Sequence, residues 1–367
     1  MQFRQIKFAD AKIVFNLVQT NVWSVCYNNF MKALVLTNKD QPLNLQEVDD
    51  LIAGPNEVVV KIYAAALNHR DAWIQKGQYA GLKYPIVLGS DGCGVVDSTG
   101  SENDSQWIGK EVIIYPSLNW GNDQSYQHPQ NFKILGLPDN GTFEEYVKVP
   151  ASNIFLKPKH LSFEEAAALP LAGVTAYRAL MKRGNLQNGE KVLITGIGGG
   201  VALYALQYAK HTGADIYVTS GTEEKIAKAI SLGASGGVNY NNENWAAELQ
   251  DLAGSFDVIV DGASGDGLDS LLNLAKPGGR VVLYGSTKGN PSSLVARRIF
   301  WKQLNVLGST MGSPADFREM IDLVEQGNMK PVIDTVFAFE DGELAMRRMN
   351  DSLQFGKILI RITNNTK

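Results

Sequence analysis

KVLITGIGGGVALYALQYAK, residues 191–210, is a short apolar run that breaks at a cluster of glycines and resumes with a helical period. Lys191 to Thr195 has the β-branched, apolar character of a strand buried in a parallel sheet, while Val201, Tyr204, Ala205, Tyr208 and Ala209 recur at helical spacing. Gly196, Gly198, Gly199 and Gly200 lie between them. Glycine lets the backbone turn tightly and approach a pyrophosphate, whose charge the free N–H groups at the start of the next helix then hold. The register reads Gly196, Gly199 and Ala202, with alanine as the third small residue where helix meets strand. A second β-rich run, Asp215 to Thr219, follows a helix of suitable length, and this context predicts dinucleotide binding.

The end of that second strand bears on which dinucleotide binds. Sites selective for NAD place a carboxylate about 20 residues beyond the glycines, where it holds the ribose 2′-OH and repels a 2′-phosphate. Here the strand runs into VTSGTEEK: Ser220 stands in place of the acid, followed by Gly221 and Thr222, with Lys225 one helical turn on. A hydroxyl, an open backbone and an ammonium suit a phosphate, so NADPH is the expected cofactor.

The whole chain sets further bounds. Its 367 residues allow two domains, and 44% hydrophobic with 20% charged residues is the composition of a soluble globular protein. The net charge of −4, from 34 basic and 38 acidic residues spread along the chain, offers no footprint for nucleic acid or an anionic membrane. Small molecules are the expected partners. Only Cys26 and Cys93 are present, so neither a disulfide framework nor a thiolate metal cage is expected, and a cytoplasmic location fits. No apolar run approaches the roughly 20 residues that span a bilayer. Residues 1–30 carry three bases against one acid and no glycine or proline. They read as an upstream start ahead of Met31, or alternatively as a targeting segment.

From Lys32 to Val149, short β-rich runs such as KALVLT, EVVVKIYAAAL, GCGVVD and KEVIIYP alternate with turn signals, predicting a compact β-rich domain. Residues 162–183 read as helix, with Ser162 and Glu165 forming a capping box and Pro170 breaking the middle. Strand and helix then alternate through FDVIVDGA (256–263) and RVVLYGS (280–286), with a turn at Pro277-Gly278-Gly279, and a last strand, LNVLGST, at 304–310. The alternation predicts an α/β fold with a doubly wound parallel sheet of the Rossmann kind. Gly262 and Ala263, and Gly285 and Ser286, end two of its strands at the carboxyl edge where such sheets bind ligands. A helix over 314–328 and a β-rich tail, GKILIRI, complete the chain.

Several strings together resemble the medium-chain dehydrogenase/reductase superfamily over Met31 to Ile362: ALNHRDAWIQKGQY, YPIVLGSDGCGVV, GTFEEYVKVP, AALPLAGVTAYRAL, the glycine turn and the final FGKILI. The resemblance implies a GroES-like catalytic domain of 31–155, a Rossmann cofactor domain of 156–312 and a return to the catalytic domain over 313–367, with the cofactor in the cleft between. Zinc-dependent members carry a cysteine in the first string, a His-Glu pair in the second and a cysteine or aspartate in the fourth. This chain has Asn68, Ser90-Asp91 and Leu171, and no cysteine at all over 116–140, where other members hold a structural zinc. Zinc takes thiolate, imidazole or carboxylate ligands, so no metal site is expected, and His69 reads as a polar loop residue.

Without a Lewis acid to lower the pKa of an alcohol, reduction of an activated π-system is the accessible chemistry. The chain resembles the zinc-independent quinone-oxidoreductase and enone-reductase branch, which implies NADPH-dependent hydride transfer to a quinone or an α,β-unsaturated carbonyl. By the same resemblance Asn68 faces the nicotinamide and could bond the substrate oxygen, or else caps its loop. Tyr79 lines the substrate cleft and could relay a proton, and Asp71 orients or caps the loop. Thr175, Tyr240 and Lys357 match cofactor contacts, with core packing the alternative for Tyr240. An enoyl-thioester reductase is a second reading, for which Arg297, Arg298 and Lys302 are a candidate phosphate patch. A non-catalytic NADPH-binding sensor is a third, and a zinc alcohol dehydrogenase a poor fourth. The edge strand LNVLGST could pair across a two-fold axis to give a homodimer, as in relatives, or pack against its own chain.

Overall fold

A six-stranded parallel sheet forms around the glycine turn, in the spatial order Gly236–Asn239, Asp215–Ser220, Lys191–Ile194, Phe256–Asp261, Ala275–Leu283, Asn305–Gly308. This computed structural model describes residues 30–363 and, ahead of them, two short strands, Ile13–Val14 and Cys26–Tyr27, that pair antiparallel. The rest of the segment read as an upstream start or targeting sequence lies outside the described residues.

The sheet is covered on both faces because its side chains alternate. Val192, Ile194, Val258 and Val260 enter one core with Ala202, Leu206 and Phe317, while Leu193, Ile259 and Val281 enter another with Leu249, Leu268 and Leu271. The strand order reverses beside Lys191–Ile194, which opens a crevice at the carboxyl ends of the strands. The turn expected at Pro277-Gly278-Gly279 is instead a bulge inside a longer strand. Ala275 pairs with Phe256 and Arg280 with Val258, and Gly278 takes φ +75° to absorb the extra residues.

The β-rich part forms a seven-stranded and a three-stranded sheet around a second core that includes Leu36, Val60, Ile62, Leu88 and Phe143. The last strand, Lys357–Arg361, pairs antiparallel with Glu57–Ala66, so the end of the chain returns to the sheet laid down near its beginning. The helix Pro314–Gln326 packs between: Phe317 meets Tyr115 of the β-rich part at 5.0 Å between ring centroids and shares a core with the parallel sheet. Over 162–183 the capping box forms as expected, with Ser162 Oγ accepting from the Glu165 N–H, and Pro170 starts a new helix, Pro170–Tyr177, that ends in a π-helical turn, Arg178–Arg183. No described helix is long and apolar enough to cross a membrane.

Candidate active site

The carboxyl edge of the parallel sheet and the β-rich part enclose a cleft of about 900 Å³. The glycine turn forms its floor on one side. Gly196 (φ +66°) and Gly198 (φ +118°) adopt the left-handed backbone that favours glycine, and Gly199 caps the helix Gly200–Thr212. A Cβ at Gly200 would stand 2.8 Å from Lys357 Cδ, so a larger residue there would have to displace the side chain that Asp91, Asn68 and Leu67 hold. The residues of that first turn line the cleft, and the free N–H groups of a helix start suit a pyrophosphate.

Around this turn the cleft gathers Gly196, Gly199, Gly200 and Val201 with Thr175, Ser220, Gly221, Thr222, Lys225 and Tyr240, and on its far side Gly262, Ala263, Gly285 and Ser286. Tyr240 is 41% exposed, so packing in the core does not account for it. Ser220 ends its strand buried and donates to Ile197 O at 3.3 Å, and Thr222 caps the helix Glu223–Leu232, bringing Lys225 to the rim. Lys225 Nζ donates to Ser352 O at 3.0 Å, and burial holds its pKa below the ordinary lysine value. Gly198 does not line the cleft. Its carbonyl accepts from the Gly356 N–H at 3.0 Å and its Cα faces Lys225 and Phe355, so it latches the turn to the segment before the last strand.

On the opposite wall Asn68 precedes the helix His69–Gln75 and lines the cleft with Tyr79. Asn68 Oδ1 accepts from Lys357 Nζ at 2.8 Å, and Asn68 Nδ2 donates to Asp91 Oδ2 at 2.9 Å. Oxygen toward ammonium and amide toward carboxylate is the only chemically sensible orientation, and it leaves the second amide N–H without a partner among the described residues. Lys357 also donates to Asp91 Oδ2 at 2.9 Å and to Leu67 O at 2.7 Å, while the Leu171 N–H donates to Asp91 Oδ1 at 2.7 Å. Lys357, expected as a cofactor contact, lines the cleft and also holds this buried network together. Asp71 is fully buried away from the cleft: its carboxylate accepts from the Asn68 N–H at 2.8 Å and more weakly from the Gly89 N–H. Of the two roles read for it, the structure gives it the loop cap. Burial raises its pKa to about 6, against the pull of Arg70 and the Asn68 hydrogen bond.

Several cleft residues escaped the sequence reading. His69 lines the cleft instead of standing in a loop, and its imidazole is held below its ordinary pKa by the desolvating walls first and by Lys357 and Lys225 second. Arg70, Trp73, Met311 and Gln354 also line it. Arg70 and His69 follow Asn68 directly, so a helical reading of NHRDAW would have flagged them; Met311 and Gln354 carry no local signal.

The donors at the three positions where zinc-dependent members carry ligands do not suit zinc. Asn68 offers an amide already bonded on both sides, Ser90 gives its hydroxyl proton to Leu135 O at 2.8 Å, and Leu171 has no donor atom. Asp91 is committed to Lys357. No group of three or more His, Cys, Asp or Glu side chains converges among the described residues. Cys93 is buried, and burial pushes its thiol far above the usual range.

The alcohol dehydrogenase GroES-like domain family matches residues 54–159, and the zinc-binding dehydrogenase family matches residues 200–326. The chain is 38% identical over 340 residues to the zinc-type alcohol dehydrogenase-like protein YogA of Leptosphaeria maculans, covering 88% of this chain and 95% of that protein. It is 29% identical to the acryloyl-coenzyme A reductase of Sulfurisphaera tokodaii, covering 90% of this chain and 100% of that one. Among solved structures, an NAD-dependent alcohol dehydrogenase superposes with a TM-score of 0.84 at 35% identity, covering 91% of this chain and 100% of the other. A crotonyl-CoA carboxylase/reductase in complex with NADP shares the fold with a TM-score of 0.82 at 22% identity, covering 91% and 96%.

Proposed function

As the chain belongs to the medium-chain dehydrogenase/reductase superfamily of oxidoreductases, we propose that it is an NADPH-dependent, zinc-independent reductase of quinones or α,β-unsaturated carbonyl compounds. The observation that carries this reading is the pinning of Asn68 in the cleft wall: its oxygen accepts from Lys357 and one amide N–H donates to Asp91, which leaves the second N–H as a donor without a partner among the described residues. A fixed donor of this kind stabilises negative charge as it develops on a carbonyl oxygen. The reduced nicotinamide, when bound, supplies the hydride. Around it the glycine turn and the first N–H groups of the helix Gly200–Thr212 hold the pyrophosphate, and Thr175, Gly262, Ala263, Gly285 and Ser286 shape the nicotinamide end. Tyr79 is the candidate proton donor to the reduced product, working as a modest acid. Ser220 at the end of its strand leaves room for a 2′-phosphate beside Lys225, which supports NADPH over NADH.

The enoyl-thioester reading gains from the likeness to the acryloyl-coenzyme A reductase, but the phosphate patch read for it does not serve. Arg298 pairs with Asp269, Lys302 bonds Asn273 O and Ala275 O, Arg297 stacks on Trp301, and none of the three lines the cleft. We further propose a homodimer through the sheet edge Asn305–Gly308. Beside it Phe300 and Trp301 are 64% and 72% exposed, a patch that a second copy would cover.

Oxidation of NADPH and NADH by chelator-treated protein, with a 1,4-quinone and a simple enone as acceptors, tests the reading. Turnover that resists chelator and favours NADPH supports it. Binding of NADPH with no turnover of either acceptor moves the function to a sensor, and loss of activity on chelation returns it to zinc.

A further inference from the structure

The two cations beside Asn68 differ in what they meet. Lys357 is neutralised by Asp91 at 2.9 Å. Arg70, only 6% exposed, touches neutral acceptors alone: its Nη1 donates to Ser90 Oγ at 2.7 Å and to Leu135 O at 2.8 Å. Among the described residues no other nitrogen of this guanidinium has a hydrogen-bond partner, and Nε is sealed from water without one. The neighbouring carboxylate, Asp71, faces the backbone N–H groups of Asn68 and Gly89 instead. The Tyr79 ring lies 5.2 Å from the guanidinium carbon and fixes the guanidinium's place, and both residues line the cleft in the wall that the β-rich part contributes.

With Nη1 bonded to its two protein acceptors and Nε sealed from water, Nη2 is the guanidinium nitrogen left to meet a ligand, and its hydrogen bond to a carboxylate is charge-assisted. A buried cation whose neighbouring carboxylate is hydrogen-bonded elsewhere, in the wall of the cleft, is a recognition element for an anion that arrives with the ligand. We propose that Arg70 is a specificity-determining residue that binds a carboxylate of the acceptor, so that the preferred substrates are conjugated carbonyl compounds bearing a second, ionised carboxyl group. This rests on the reading of the cleft as a site of conjugate reduction.

The test compares 4-oxopent-2-enoate with its methyl ester, two acceptors that share one enone and differ in charge. The wild type is expected to favour the acid in kcat/KM by about tenfold or more, the scale of a hydrogen bond to a charged group. Arg70→Gln should collapse that ratio toward one, and Arg70→Lys, which keeps the charge but loses the planar guanidinium, should leave it in between. Equal kcat/KM for acid and ester in the wild type, or a ratio that survives in both variants, overturns the proposal. If Arg70→Gln fails to fold, the wild type and Arg70→Lys decide it. Calorimetric binding of the same two compounds keeps the two readings separate: with no turnover of either, tighter binding of the acid that weakens in Arg70→Lys upholds the role of Arg70 while the reductase reading falls, and equal binding ends both.

Discussion

Lys357 and Asp91 lie 266 positions apart and meet at 2.9 Å, with side chains 4% and 0% exposed. Their contact joins the final strand to the strand Asp91–Thr99, and through Asn68 Oδ1 and the Leu171 N–H it also grips the loop before His69 and the start of the helix Pro170–Tyr177. Breaking a buried pair from one side leaves the other charge stranded. Lys357→Met or Asp91→Asn should each lower stability by about 3–5 kcal/mol in urea denaturation. The double variant should lose less than the sum, because it strands neither charge.

Asn68→Ala removes the unpartnered amide N–H while leaving the backbone cap to Asp71. The expected loss is about 10²–10³-fold in kcat, the scale for one donor to a developing oxyanion, with the KM for the cofactor little changed. Steady-state kinetics on a neutral enone checks this, and a loss confined to KM would count against the role.

Asp71 gives a pH dependence with a definite sign. Its folded pKa of about 6 exceeds the ordinary value of 3.8, so the folded protein holds this proton more tightly than the unfolded chain. Its contribution is therefore fully present below pH 3.8 and is lost as pH rises through 6. The shift of about two units corresponds to about 3 kcal/mol. Relative to Asp71→Asn, the wild type should lose stability by about that amount between pH 4 and 7, as denaturant titrations at several pH values would measure.

Ser220→Asp restores a carboxylate at the end of the second strand of the nucleotide fold. NADPH should lose about tenfold or more in kcat/KM through repulsion of its 2′-phosphate, while NADH holds or gains. An unchanged cofactor ratio would remove Ser220 from the selectivity argument.

The exposed sheet edge predicts a dimer that a charge can split. Val306→Lys together with Trp301→Glu should convert a dimer to a monomer in light scattering after size exclusion, with the far-ultraviolet spectrum retained. A wild-type monomer at all concentrations would refute the edge pairing.

The glycine turn was legible in the sequence because its requirements are local: left-handed φ at Gly196 and Gly198, a strand before and an amphipathic helix after. So were the capping box of Ser162 and Glu165 and the helix break at Pro170, which depend on neighbours three residues away or fewer. The doubly wound parallel sheet followed from the alternation of strand and helix, whereas the order of its strands did not. What the sequence could not supply was the partner of each buried polar group. A lysine in FGK reads as a cofactor contact, and only the return of the last strand against Glu57–Ala66 shows that its ammonium also meets Asp91 and Asn68. Asp71 reads as orienting or capping its loop, and its burial and hydrogen bonds decide for the cap, while Arg70 carries no signal in the sequence until its neutral hydrogen-bond acceptors single it out. Local backbone conformation is set by each residue and its near neighbours, and the sequence determined that much by itself. Which charges meet, which stay unpaired and which way an amide faces depend on contacts between segments hundreds of residues apart, and only the tertiary structure decided them.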